Sequence, residues 1–198
     1  MPIFEGQLHA GLIERLRISI DGTLNFINKE PGFSVSIALV AKDGTPQIGV
    51  IYDPNSEILY HATKGLGVYK NGETWEINNR NKHLTYVTDK KLKNTPRLSE
   101  LESLLQNKVD ELGLENYFEM SGGASVMNGI YVLENRPACM IKFPKKEVGG
   151  GSIWDFASTA CLFQEFGFRV TNFEGGKLDL NRKDSTFMHH EGIYYSNF

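Results

Sequence analysis

An apolar strand that runs Ile18-Ser19-Ile20 and ends in Asp21-Gly22-Thr23 delivers a carboxylate, a flexible backbone and a hydroxyl to one point. If a helix begins there, its unpaired N–H groups aim at the same spot, which suits a metal ion beside a phosphate. The Ile20 carbonyl can join Asp21 as a second oxygen donor. Far downstream, Trp154-Asp155 opens an amphipathic stretch and can bring a second carboxylate. It follows Gly149-Gly150-Gly151-Ser152, a lead-in flexible enough to let a helix N-terminus approach a ligand closely. A third segment, Ser121-Gly122-Gly123-Ala124-Ser125, places small residues between a strand and a helix, where a sugar or phosphate can come near. Each piece also has an ordinary structural role. Asp21 can be a turn or N-cap residue, Thr23 a cap, and Asp155 a first-turn acid that stabilises its helix dipole by ~0.3–1 kcal/mol. In this order and at this separation, the pieces point to phosphate chemistry on a metal.

The elements that must position these residues can be read from periodicity. Leu8, Leu12, Ile13 and Leu16 suggest a short helical stripe, weakened by Gly6 and Gly11. Ile18 to Ile20 is the end of a strand, and a short helix follows Asp21 and stops near Pro31-Gly32. From Phe33 to about Tyr69, β-branched runs separated by Lys42–Pro46, Asp53-Pro54-Asn55 and Gly65/Gly67 predict an antiparallel meander. The polar stretch from Glu76 to Lys82 marks a boundary. Beyond it strands and helices alternate: strands over 84–88, 117–120, 138–143 and 168–170, helices over 98–112, 125–134 and 152–166. Residues 1–82 therefore form an N-terminal α+β part and 83–198 a C-terminal α/β part. The site would lie in the crevice between them.

The bulk properties narrow the class. Of the 198 residues 40% are hydrophobic and 11% aromatic, which is enough for a real core. A net charge of −3 argues against a partner that is a nucleic acid polymer, but not against a small anionic substrate. Cys139 and Cys161 match no metal spacing or disulfide framework and read as buried free thiols. The five histidines, at 9, 61, 83, 189 and 190, show no ligand spacing and read as structural or solvent-facing. No apolar run reaches ~18 residues, and Met1 to Gly11 lacks the order of a signal peptide. The expectation is a cytoplasmic protein with no membrane partner.

Ile20 to Phe26, the hairpin through Gly67-Val68-Tyr69-Lys70-Asn71-Gly72, the Ser121–Ala124 step and Trp154-Asp155-Phe156-Ala157-Ser158 resemble, in sequence order, the inositol monophosphatase superfamily of magnesium-dependent, lithium-sensitive phosphomonoesterases. The resemblance implies a layered αβαβα sandwich of the α/β (α+β) class. It implies Mg²⁺ as cofactor, a small phosphorylated substrate and a homodimer. Asp21, Asp155 and the Ile20 carbonyl would ligate metal. Asp21, Thr23 and Asp155 would be the catalytic residues, with Thr23 helping to activate the water. Gly22 and Thr23 amides would grip the phosphate, while Gly123, Ala124 and Asp155 would line the alcohol side. Glu147 falls near a sugar-contacting position, but its spacing is off. The reaction would be hydrolysis of an inositol monophosphatase-like substrate by in-line attack of a water held on the metal. Leu24-Asn25 looks like that branch, while Ser152 to Asp155 is equally similar to adenosine 3′,5′-bisphosphate nucleotidases.

The chain departs from the family in two places. The family motif is Asp-Pro-Ile-Asp-Gly-Thr, and here Ile18 and Ser19 stand where its first aspartate and proline would be. Members also carry an upstream segment of helices and a hairpin ending in Gly-Glu-Glu, which supplies further ligands and is not found before Ile18. With fewer carboxylates magnesium would keep most of its waters and bind weakly. The alternative is a catalytically impaired member that only binds ligand or partner. Without those helices, apolar surface of the first half would also lie bare.

Overall fold

The computed structural model describes residues 13–78, 80–89 and 97–198. Its elements are β1 (Ile13–Asp21), α1 (Thr23–Asn28), β2 (Ser34–Ala41), β3 (Pro46–Asp53), β4 (Ile58–Thr63), β5 (Gly67–Lys70), β6 (Glu73–Thr74), β7 (Leu84–Thr88), α2 (Leu98–Leu112), β8 (Tyr117–Ser121), α3 (Ser125–Glu134), β9 (Ala138–Lys142), α4 (Ile153–Glu165), β10 (Arg169–Thr171) and β11 (Ile193–Ser196). The predicted meander is present: β1 to β6 form one sheet in sequence order, with every neighbour antiparallel. The second sheet has the order β10-β11-β9-β7-β8. Its β7 pairs in parallel with both β8 and β9, as alternating strands and helices require.

One expectation needs correction. Ile13 and Leu16 belong to β1 rather than to a helix, while Leu8 and Leu12 lie outside the described residues. Leu16, Ile18 and Ile20 alternate along an extended chain that pairs with β2 from Ile13↔Ala41 to Asp21↔Ser34, and this ladder overrides the weak helical stripe. The tail after residue 170 holds a short strand whose place is set by tertiary pairing. Ile193–Ser196 inserts between β9 and β10, which nothing local in the sequence announces.

The layers follow from which faces are apolar. Helices α3 and α4 lie between the two sheets. Phe156, Ala160 and Phe163 of α4 and Ile130 and Leu133 of α3 share one buried cluster with Ala38, Ile51, Val87 and Met140. On the far side of the second sheet, Leu101, Leu105 and Val109 of α2 pack on Leu84, Tyr86 and Ile141. The architecture is layered and mixed, sheet–helix–sheet–helix, and places the chain in the expected α/β (α+β) class. A buried polar pair links the layers: the Ser36 and Ser158 hydroxyls are 2.7 Å apart. Gly49 on β3 lets α4 come this close. A Cβ there would lie 2.4 Å from the Ser158 carbonyl oxygen and 2.9 Å from the Cys161 Cβ. Cys139 and Cys161 are the free, buried thiols expected.

Among the described residues, an apolar patch at the β1 end of the first sheet is exposed. Leu16, Ile18 and Ile20 of β1 are 61%, 64% and 53% exposed, and Leu24, Phe26 and Ile27 of α1 add 68%, 54% and 72%. This is the uncovered apolar surface the sequence led us to expect.

Two outcomes follow from the packing. Gly49→Ala should destabilise the chain by about 1–3 kcal/mol, because backbone rather than a flexible side chain occupies the space. A thermal melt unchanged from wild type would refute the close approach. The outer face should bind a hydrophobic dye such as ANS, and Ile18→Ser combined with Ile27→Ser should weaken that binding without lowering the melting temperature. Equal dye fluorescence in the two proteins would mean that the face is covered.

Candidate active site

Asp21 ends β1 and points at the start of α3. The N-cap of that helix, Ala124, has no side chain able to bond the first free amides. Asp21 does so from 105 residues away: the Val126 N–H donates to its Oδ2 at 2.6 Å. Two loops and α1 are clamped around this contact. The Ala124 N–H donates to the Gly32 carbonyl at 2.9 Å, and the Asn25 amide donates to the carbonyls of Pro31 at 2.6 Å and Gly122 at 3.0 Å. Asn25, one of the residues that suggested a branch of the family, therefore ties loops together. Gly22 has φ +83°, and a Cβ would meet the Phe33 Cα at 2.9 Å and the Ala124 Cβ at 3.0 Å. Only glycine allows both the left-handed turn and the contact.

Asp155 lies in the first turn of α4, as expected. Its Oδ2 accepts the Ser152 N–H at 2.7 Å and closes a capping box with Ser152. Both aspartates thus do the structural work the sequence offered as the alternative, each with one oxygen. No hydrogen bond to either Oδ1 is found among the described residues. Burial, above all, raises the Asp21 carboxyl from its ordinary value to about 6. The charge of Asp155 and of Asp89 adds to the rise, while the Val126 amide and Lys142 oppose it. The Asp155 carboxyl is raised too, first by burial, against the Ser152 amide and Lys142.

The remaining predicted residues fall as follows. Thr23 begins α1 and is exposed. Ile20 is the last residue before Asp21, so its carbonyl is at the strand end. Gly123 packs against Asn128 and Tyr131, beside Ala124. Glu147 sits on an exposed loop. Ile18 lies in the exposed apolar patch, while Asp21 reaches α3. His61 stacks on Tyr69 and His83 packs on Phe118, as structural histidines would, and His9 lies outside the described residues.

Sequence reasoning missed a charged cluster at the carboxyl ends of two parallel strands. Lys142, the last residue of β9, donates from Nζ to Asp89 Oδ2 at 2.5 Å and to Ser125 Oγ at 2.9 Å. Asp89 follows β7, and the buried Asn128 amide donates to its Oδ1 at 2.6 Å. A signal existed: ligands gather at the carboxyl ends of parallel strands, and each of these charges stands directly at or after such an end.

Asp21 and Asp155 offer the donor chemistry that a divalent cation takes. Two carboxylates with one free oxygen each are hard donors, and the charge strain that raises both carboxyls is relieved by a divalent cation. No group of three or more His, Cys, Asp or Glu side chains close enough to enclose a metal is found among the described residues, so an ion would keep most of its waters.

The model of the inositol monophosphatase family matches residues 20–195. The chain belongs to that family. It is 31% identical over 171 residues to the Nus factor SuhB of Buchnera aphidicola, with 79% of this chain and 55% of that protein covered. Against inositol monophosphatase 2 of Saccharomyces cerevisiae it is 27% identical over 155 residues, covering 75% and 51%. The chain thus spans about half the length of the curated relatives it matches. Its fold is similar to a crystal structure of inositol monophosphate-bound SaIMPase-II, with a TM-score of 0.70 at 22% identity, over 99% of this chain and 70% of that one. It is also similar to the Thermotoga maritima IMPase TM1415, with a TM-score of 0.64 at 22% identity, over 98% and 67%.

The raised Asp21 carboxyl makes a pH prediction. The fold favours the protonated form, so this group's contribution to stability is full below its unfolded pKa of about 4. It is lost as pH rises through about 6. In magnesium-free buffer at pH 7.5, Asp21→Asn should melt a few degrees higher than wild type, and the difference should vanish near pH 4. A lower melting temperature for the variant at pH 7.5 would contradict the assignment.

Proposed function

We propose that this chain hydrolyses a small phosphate monoester with the aid of Mg²⁺, in the manner of an inositol monophosphatase. The observation that carries the reading is the meeting of Asp21 and Asp155. They start 134 residues apart in sequence, yet they sit at the heads of α3 and α4 within reach of one another's charge. Asp21, Asp155 and the Ile20 carbonyl would hold the ion. When bound, the ion supplies a Lewis acid that polarises the phosphoryl group and makes water a better nucleophile at neutral pH. The chain's own residues do the rest. Gly22 and Thr23 amides bind phosphate oxygens, and the Thr23 hydroxyl orients the attacking water. Gly123 and Ala124 leave room for the alcohol, and Asp155 accepts a hydrogen bond from a substrate hydroxyl or from that water. The site would lie in the crevice between the parts formed by residues 1–82 and 83–198. A cytoplasmic location and a homodimer go with this reading. No helix among the described residues is long and apolar enough to cross a membrane, which agrees with it.

Adenosine 3′,5′-bisphosphate is the competing substrate, since Ser152 to Asp155 suits either branch. A second reading is a family member that binds a phosphate ester or a partner without turnover. Ile18 in place of a ligand aspartate favours it, as do relatives named Nus factors rather than enzymes. The family carries no proposal of a nucleic acid polymer as substrate here.

The deciding experiment measures phosphate release from inositol 1-phosphate and adenosine 3′,5′-bisphosphate with and without Mg²⁺. Metal-dependent turnover should fall at least about a hundredfold in Asp21→Asn, in line with the loss of a group that stabilises developing charge. Turnover that survives that substitution unchanged would overturn the catalytic assignment. A folded wild-type protein with no turnover on any monoester would leave the binding-only reading standing.

A further inference from the structure

Ser34 opens β2 on the enclosed face of its sheet, together with Ser36, Ala38 and Val40. It is fully buried, yet its hydroxyl has no hydrogen-bond partner among the described residues. A buried hydroxyl left unpaired costs stability, and native chains rarely keep one without a use. Ser36, two residues on and on the same face, shows the ordinary arrangement, with its hydroxyl 2.7 Å from that of Ser158.

The sheet sets what lies beside Ser34. In the β1–β2 ladder it stands directly opposite Asp21. Opposed residues of an antiparallel pair share a face, with Cβ atoms ~4.5–5.5 Å apart, a gap that a hydroxyl and a carboxylate can close. Asp21 uses Oδ2 to accept the Val126 N–H at 2.6 Å, while its Oδ1 accepts from no group among the described residues. On the other side of Ser34, one step past Val35↔Tyr52, stands Asp53. Both of its oxygens already accept, from the Asn55 N–H at 2.9 Å and from the Ser56 hydroxyl at 2.6 Å. The unpaired donor therefore has the unpaired acceptor of Asp21 as its neighbour in the row. We propose that Ser34 is a positioning residue of the candidate site: its hydroxyl donates to Oδ1 of Asp21, and the carboxylate is held on both oxygens, by α3 and by the adjacent strand. The adjustment asked of the chain is a turn about χ1 of Ser34 between staggered positions. A carboxylate held at two points has a fixed plane, and each oxygen keeps a further lone pair for what it binds. The consequence for turnover rests on the reading that Asp21 acts in phosphate release; the contact itself does not.

The test is a set of double-mutant cycles followed by thermal melting of the full chain in magnesium-free buffer at pH 7.5. Ser34→Ala should lower the melting temperature by a few degrees. That loss should disappear in an Asp21→Ala background and persist in an Asp53→Ala background. A higher melting temperature in Ser34→Ala, the result for a hydroxyl that stays unpaired, would overturn the proposal. So would an equal loss with and without Asp21, or a loss that disappears with Asp53. If Asp21→Ala does not fold, the sign of the Ser34→Ala shift in the otherwise wild-type chain decides. In phosphate release, Ser34→Ala should lower kcat on the order of tenfold with KM little changed, because a misaligned carboxylate harms the reaction more than binding. An unchanged kcat would overturn the positioning role. A folded wild type without turnover would sink the phosphatase reading of Asp21, and the melting cycles would still decide whether Ser34 holds it.

Discussion

A carboxylate at the end of β1 accepts a hydrogen bond from an amide at the start of α3, and the site is built around that bond. Ala124 leaves the head of α3 uncapped, so the helix depends on Asp21 arriving from the other sheet. For Asp21 to arrive, the chain must turn sharply at Gly22, and the loops at Pro31-Gly32 and Gly122 must close on each other through Asn25 and the Ala124 amide. One capping interaction thus fixes the end of β1 against the head of α3.

The same arrangement creates electrostatic tension. A hydrogen bond from a helix N-terminus normally favours a charged carboxylate, yet burial and neighbouring acids outweigh it at both Asp21 and Asp155. Structural ion pairs usually settle such tension by pairing each acid with a base. Here Lys142 is committed to Asp89 and Ser125 and only moderates the field of the other two acids. Two buried carboxylates left short of positive charge, close to the charged ends of the parallel strands β7 and β9, are what supports the proposal of a cation site.

Burial is distributed unevenly around this centre. Helices α3 and α4 are enclosed by both sheets, with Gly49 and the Ser36–Ser158 pair holding α4 at close range. In the sheet that carries Asp21, the edge strand β1 turns Leu16, Ile18 and Ile20 away from the enclosed layer, with Arg17 and Ser19 alternating between them.

Taken alone, the sequence determined the meander and the helices at 98–112 and 125–134, and it singled out the two aspartates as candidates, because each rests on local signals. Periodicity, turn residues and a short motif can be read within one window. It misread Ile13 and Leu16, where pairing with β2 prevails over a helical stripe, and it could not see β11, whose place depends on β9 and β10 on either side. The charged cluster of Lys142, Asp89 and Asn128 was equally invisible, since its members are 53 and 39 residues apart and are joined only by parallel strands and a helix packed across them. Tertiary structure alone decided how strongly Asp21 and Asp155 resist ionisation, because desolvation and the field of distant charges are properties of the folded surroundings and are written in no single stretch of chain.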